Sequence, residues 1–363
     1  MPVPVLLEEP PMARTTPSPH RRALRVVPAL ASAALLATVA ACGGGAPAEP
    51  AADGGAAAPS GAYPVSIEHK YGTTEITAEP QRVVLVGLNE QDAMLALGSV
   101  PVGTSNFLDA PNGIHPWAQE ALGDAEPPTL LDQTDGIPYE AVAALAPDLI
   151  VGLYSGLTQE DYDTLSGIAP TVAQPAGQED FTISWQDTTL TLGRILGKQE
   201  QAEALVADTE ALFTAAKAEH PEFAGRSAVM TTLYEGYYFY GEGDPRGRLL
   251  TSLGFVVPPT LASYISSDGF GGTVPGEQVA ALDVDALVWL ADGSTEAALR
   301  ADALYSSLGV VSGGHEVFVT EGEPVNNAVS FVTPLSIPLI LDNLVPRLAA
   351  AVDGDPATST AAA

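Results

Sequence analysis

The chain has 363 residues with 45 acidic against 14 basic side chains, a net charge of −31 that argues against nucleic acid as a partner. Its single cysteine leaves it neither an internal disulfide nor a cysteine-rich metal site. The length allows two sizeable hydrophobic cores.

Residues 1–11 are acidic and proline-rich, whereas Arg14, Arg21, Arg22 and Arg25 precede an uncharged run over 26–41. This is the basic-then-apolar layout of an export signal, and Met12 is an alternative start. The run ends in Val39-Ala40-Ala41-Cys42, the small-residue pattern of a bacterial lipoprotein signal, and lipidation of Cys42 accounts for a lone thiol in an exported protein. Arg21-Arg22 leaves a twin-arginine route open. Residues 43–61, made of Gly, Ala, Pro, Glu, Asp and Ser, read as a flexible tether. Loss of residues 1–42, with four Arg and two Glu, leaves a body of net charge −33. Its long-range field favours neutral or cationic ligands.

In the body, an apolar strand at 83–86 leads through Gly87 into a helix over 90–97, followed by a strand at 100–103. A helix at 140–145 leads to a strand at 148–153, and a helix at 161–168 to a strand at 171–173. Such alternation predicts parallel βαβ units. The second half repeats it: strand 227–233, helices 248–253 and 277–282, strand 286–290, helix 297–308, strand 317–320 and a closing helix over 335–352.

Between the halves lies an amphipathic stretch, 199–220. Ala202, Leu205, Val206, Leu212, Phe213 and Ala216 recur at helical spacing, and Gly197 and Pro221 bound it. At about 1.5 Å per residue it spans roughly 30 Å, enough to strut two lobes apart. The flanking sequence repeats itself. Glu140-Ala-Val-Ala-Ala-Leu-Ala-Pro-Asp-Leu-Ile-Val151 and Glu277-Gln-Val-Ala-Ala-Leu-Asp-Val-Asp-Ala-Leu-Val288 share seven of twelve residues without gaps. The expected fold is therefore α/β: two α/β sandwich lobes joined by one long rigid helix, with a ligand cleft between the lobes. The expected boundaries are a signal at 1–42, a tether at 43–61, a first lobe at 62–180, connecting helices at 181–220, a second lobe at 221–353 and a disordered tail at 354–363.

Several segments together carry a family likeness. They are Pro80-Gln-Arg-Val-Val84 with 92–103, Gly136-Ile-Pro-Tyr-Glu140 through Pro147-Asp-Leu-Ile-Val151, Ile168-Ala-Pro-Thr-Val172, Arg246-Gly-Arg-Leu-Leu-Thr-Ser-Leu-Gly-Phe255, and Gly276-Glu277 through Asp285. In this order and spacing the chain resembles the iron–siderophore substrate-binding proteins of ABC importers, a family that also includes vitamin B12 and haem binders. The resemblance implies a monomeric, non-enzymatic, lipid-anchored protein outside the cytoplasm, which captures a ferric siderophore and delivers it to an ABC permease. Corrinoid and haem are the alternative ligands within the family. It also implies that Glu140 and Glu277 dock onto permease arginines, a role suited to carboxylates at helix starts.

Ligand contacts are expected at strand ends and loops facing the cleft. The candidates are Asn106, Phe107 and Tyr154 in the first lobe, Trp185 before the connecting helices, and Tyr237, Tyr238, Tyr240, Arg246 and Arg248 in the second. Aromatic faces suit an organic iron chelator, and arginine suits its oxygens. Along strand 237–240, Tyr238 and Tyr240 face opposite to Tyr237. The histidines at 20, 69, 115, 220 and 315 have no ligand spacing, so no resident metal or cofactor is expected. A secreted enzyme is the reading from another class. Gly152-Leu-Tyr-Ser-Gly156 misplaces the serine of a nucleophile elbow, and Gly241–Gly247 lacks the lysine of a phosphate loop. Because Lys70 and Arg82 are the only basic residues in 62–180, a hydroxamate complex is favoured over an anionic tris-catecholate.

Overall fold

The computed structural model describes residues 62–108 and 110–355. The expected signal, Cys42, the tether and most of the expected tail lie outside the described residues.

A hairpin of β1 (Val65–His69) and β2 (Gly72–Ile76) precedes two five-stranded sheets. The first contains β3 (Val83–Leu85), β4 (Gly103–Ser105), β5 (Thr129–Leu131), β6 (Leu149–Val151) and β7 (Thr171–Val172). All are parallel, in the order β5-β4-β3-β6-β7. Alternate residues enter opposite cores: Val83, Leu85, Leu149 and Val151 pack with Leu192 and Ile195, while Val84 and Ile150 pack with Val142 and Leu165. A parallel sheet covered on both faces requires such continuous apolar runs.

The second sheet contains β8 (Ala228–Leu233), β9 (Tyr237–Tyr240), β10 (Gly271–Val274), β11 (Ala286–Ala291) and β12 (Glu316–Thr320), in the order β10-β9-β8-β11-β12. Here β9 runs antiparallel to both neighbours. The strands of the internal repeat, β6 and β11, occupy the same fourth position in their sheets. Glu140 lies in the helix Tyr139–Ala144 before β6, and Glu277 in the 3-10 helix Gly276–Leu282 before β11.

The long helix Gln199–Glu219 links the two lobes. Its Ala202 and Leu205 belong to the first core, and its Phe213 and Ala216 to the second. A second helix, Trp185–Ile195, packs along it. Trp185 reaches the second core while Leu192 and Ile195 stay in the first. The two helices meet at Gly193, where a Cβ would stand 2.3 Å from that of Ala202.

Three elements differ from expectation for local reasons. The strand expected at 100–103 forms at 103–105, because β4 is hydrogen-bonded on both sides and Pro101 has no N–H to donate. The helix expected over 297–308 divides into Thr295–Ala301 and Ala303–Ser306. Asp302 stands at the break and accepts bonds from the Leu304 and Tyr305 N–H groups. Residues 277–282 wind as a 3-10 rather than an α-helix. Among the described residues no single helix is long and apolar enough to cross a membrane.

Candidate ligand-binding site between the lobes

In the first lobe, the chain leaving β3 turns at Gly87 into the helix Glu90–Ala96. Glu90 is fully buried and accepts hydrogen bonds from the backbone N–H groups of Tyr154 (2.8 Å) and Asn89 (3.2 Å). A Cβ on Gly87 would lie 1.8 Å from its Oε1, so only glycine leaves room for this carboxyl. Burial pushes the Glu90 pKa up to about 7, against the pull of those N–H groups. Glu90 thus fixes the backbone of Tyr154, whose buried ring meets Phe181 edge-on at 5.7 Å.

In the second lobe, β9 sorts its tyrosines by alternation. Tyr237 turns into the core, stacks on Tyr305 at 5.9 Å and donates its hydroxyl to Asp302 (2.7 Å). Its expected ligand role is corrected to a core role, since both ring and hydroxyl are engaged away from the cleft. Tyr238 and Tyr240 face the other way and meet edge-to-face at 5.2 Å. Asp244 then caps the helix Pro245–Ser252. Its carboxylate, 0% exposed, grips the Arg246 guanidinium through Nε and Nη2, both at 2.7 Å. The guanidinium carbon lies 3.7 Å from the Tyr240 ring centre. Burial works to lower the Arg246 pKa, yet the bonds and charge of Asp244 outweigh it and raise the pKa.

Tyr154 of the first lobe lies within the field of this group. Its pKa is raised chiefly by burial and then by Asp244, against the opposing charges of Arg246 and Arg248. Tyr238, Tyr240 and Arg246 thus cluster in the second lobe, and Tyr154, buried in the first core, is the first-lobe group within their electrostatic reach.

Arg248 and Trp185 are placed elsewhere. Arg248 is turned inward, donating to Gly243 O (2.7 Å) and Ile183 O (3.3 Å). With Trp185 and Asn89 it lines a partly open pocket of about 60 Å³. Pockets for organic ligands typically run to some 300–1,000 Å³, so this space by itself does not hold the whole ligand. Arg248 and Trp185, both half-buried, thus line the junction between the lobes.

That junction also uses residues the sequence pattern did not single out: Asn89, Asp92, Trp117, Phe331 and Thr333. Asp92, fully buried, accepts from Trp117 Nε1 (2.7 Å) and from Thr333 Oγ1 (2.6 Å) of the second lobe. Burial raises its pKa to about 6. Asn89 donates across the lobes to Phe331 O (3.1 Å). Val332 holds a left-handed φ of 46°, unusual for a β-branched residue, and so turns Thr333 toward Asp92. Phe107 packs on Phe331 with ring centres 5.2 Å apart, and its carbonyl oxygen lies 3.2 Å from His115 Nε2. Asn106 is exposed in the same loop. The available signal was the acid pair at 90 and 92, flanking Gln91 at the start of a helix whose other residues are apolar; Trp117 and Phe331 follow no periodic pattern.

Glu140 and Glu277 are exposed, each in the first turn of its helix, and among the described residues neither makes an ion pair. No group of three or more His, Cys, Asp or Glu side chains suited to a metal ion occurs among the described residues.

The family model of the periplasmic binding proteins matches residues 89–309, which include parts of both lobes and the long helix. The chain belongs to this family. Among its relatives are the Fe(3+) dicitrate-binding periplasmic protein FecB of Escherichia coli, 25% identical over 56% of this chain and 65% of the relative. The probable siderophore-binding lipoprotein YfiY of Bacillus subtilis is 27% identical over 69% of this chain and 79% of the relative. A periplasmic solute binding protein of Mycobacterium smegmatis has a solved structure 35% identical, with a TM-score of 0.69, covering 79% of this chain and 98% of that one. PiaA of Streptococcus pneumoniae in complex with ferrichrome is 30% identical with a TM-score of 0.71, over 80% of this chain and 99% of that one. The two lobes and connecting helices are thus those of a periplasmic binding protein.

Proposed function

We propose that this periplasmic binding protein captures a ferric siderophore between its lobes and delivers it to the permease of an ABC importer. The supporting observation is the cluster of Tyr238, Tyr240 and Arg246, with Tyr154 of the first lobe within its electrostatic reach, in a chain 30% identical to a protein solved with ferrichrome. Ferrichrome carries its iron in hydroxamates, and a hydroxamate complex is the class favoured here. Aromatic faces cover the organic shell, while the Nη1 side of Arg246, turned away from Asp244, meets an oxygen of the complex. Asn106 and Phe107 form the rim on the first lobe. The protein acts as a monomeric carrier and not as an enzyme.

The proposed division is a first lobe at 62–180, connecting helices at 181–220 and a second lobe at 221–353. Lipidation of Cys42, with 43–61 as a tether, keeps the body at the outer face of the cell membrane. Glu140 and Glu277, one on each lobe, make the permease contacts.

The test is a titration of the full chain, solubilised in mild detergent, with a ferric trihydroxamate. Trp289 is buried in the second core and bonded to Tyr305 (2.7 Å), so quenching should arise from Trp117 and Trp185. Arg246→Ala removes a hydrogen bond from a charged donor, typically ~1.5–3 kcal/mol, and should weaken binding roughly ten- to hundredfold. Unchanged affinity in a folded Arg246→Ala protein would place the ligand elsewhere.

A further inference from the structure

Asp244 is buried directly behind the arginine proposed to meet the ligand. Its Oδ1 accepts from the Arg246 backbone N–H (2.8 Å) and Nε (2.7 Å), and its Oδ2 from Nη2 (2.7 Å). Capping the helix Pro245–Ser252 does not require a charge, because asparagine and serine cap as well as aspartate. What only a carboxylate supplies is neutralisation of Arg246 in a site shielded from water.

Of the remaining cations only Arg248 acts on the cluster, and it keeps its charge while its guanidinium is turned inward. Arg248 is committed to the carbonyls of Glu242, Gly243 and Ile183. Lys70 is paired with Asp180 at 2.7 Å, and Arg82 donates to Leu145 O and Ala146 O. These two are the only Lys or Arg in 62–180. Lys198 is tied to Leu97 O and Ser99, and Arg194 to Ser66 O. The other charged or titratable groups acting on the cluster are acidic or phenolic: Asp268 on Tyr238, Glu90 on Tyr154, and the tyrosines on one another.

We propose that Asp244 sets the charge preference of the cleft: by cancelling Arg246 from behind, it makes the site a receptor for electrically neutral ferric complexes and disfavours polyanionic ones. The proposal rests on the ferric siderophore reading above and narrows it to neutral trihydroxamates over tris-catecholates and citrates. A trianionic complex would meet one uncancelled, inward-turned arginine in a body of strongly negative charge. A neutral complex loses nothing to that field, and the outward side of Arg246 still donates a hydrogen bond to it.

Asp244→Asn tests this, because it retains the helix cap and an acceptor oxygen for Arg246 while removing the charge. The full chain in detergent would be titrated with a neutral ferric trihydroxamate and a trianionic ferric tris-catecholate at one ionic strength, with tryptophan quenching as the readout. The unaltered protein should bind the trihydroxamate more tightly. Asp244→Asn should move the ratio of the two Kd values toward the tris-catecholate by at least about tenfold, and added salt should diminish that shift. Loss of packing alone would weaken both ligands together. If Asp244→Asn does not fold, Asp244→Ser, with an equally good cap, takes its place. A ratio unmoved in the folded variant, or a preference of the unaltered chain for the tris-catecholate, overturns the proposal and leaves the siderophore reading standing. If the unaltered chain binds neither complex, the siderophore reading falls and this proposal with it.

Discussion

Glu90 keeps its carboxyl group out of water between Gly87 and the backbone of Tyr154, and its proton is correspondingly hard to remove. Its pKa rises from 4.5 unfolded to about 7 folded, so the folded state holds a proton that the unfolded state releases. Below about pH 4.5 the burial carries no ionisation penalty. As the pH climbs through about 7 the penalty grows to its full size, each tenfold change in proton affinity being worth ~1.4 kcal/mol. Glu90→Gln removes the titration and keeps an acceptor for the Tyr154 N–H; the Asn89 N–H loses its own acceptor, a cost that does not vary with pH. Relative to the unaltered protein, its stability to urea should improve by ~2 kcal/mol between pH 5 and pH 8. A constant difference would show that Glu90 does not titrate in that range. The sequence could not reveal this burial. It showed an acid in the first turn of a helix, which is ordinarily solvated, and the decisive fact is the room left by Gly87. Tyr238 and Tyr240 were separable from Tyr237 by strand alternation, whereas the Asp244–Arg246 pair depends on a loop conformation that has no periodicity.

Elements were legible where burial imposes a period. The long helix was readable because its apolar residues reach two cores: Ala202 and Leu205 enter one, Phe213 and Ala216 the other. The parallel strands were readable as short apolar runs. The hairpin β1–β2, with its Thr and Glu content, and the short strand β5 offered no such run. The helix Pro324–Phe331 was missed for another reason: its Asn326-Asn327 pair reads as a turn, yet it packs on the closing helix and supplies Phe331 to the lobe junction. The rigidity of the connection comes from the two helices at 185–195 and 199–219 touching at Gly193 and Ala202. A methyl at 193 would overlap that of Ala202, and overpacking of this kind typically costs ~1–3 kcal/mol. Gly193→Ala should therefore lower the urea midpoint by a corresponding amount with little change in the slope, and an unchanged midpoint would mean that the helices separate freely.

At the scale of the molecule, the repeat gains its meaning from sheet topology. Glu140 and Glu277 each precede the fourth strand of a five-stranded sheet, so the two exposed carboxylates occupy equivalent places on two lobes that a helix pair holds at a fixed separation. Two charges held in this way can recognise two basic pockets at a matching distance, and neither lies among the residues proposed to meet the ligand. Binding and delivery should thus be separable. Glu140→Gln and Glu277→Gln keep size and most hydrogen-bonding capacity while deleting charge, so each should leave the siderophore affinity of the purified chain constant. Each should also reduce iron uptake by cells that depend on this carrier, and the double variant should be worse than either single one. If the proposed contacts form only in the complex with the permease, added ferric ligand should not rescue the loss. Variants that support normal uptake, or that lose ligand affinity when purified, would remove the two glutamates from the docking surface and leave them as first-turn acids that stabilise their own helices.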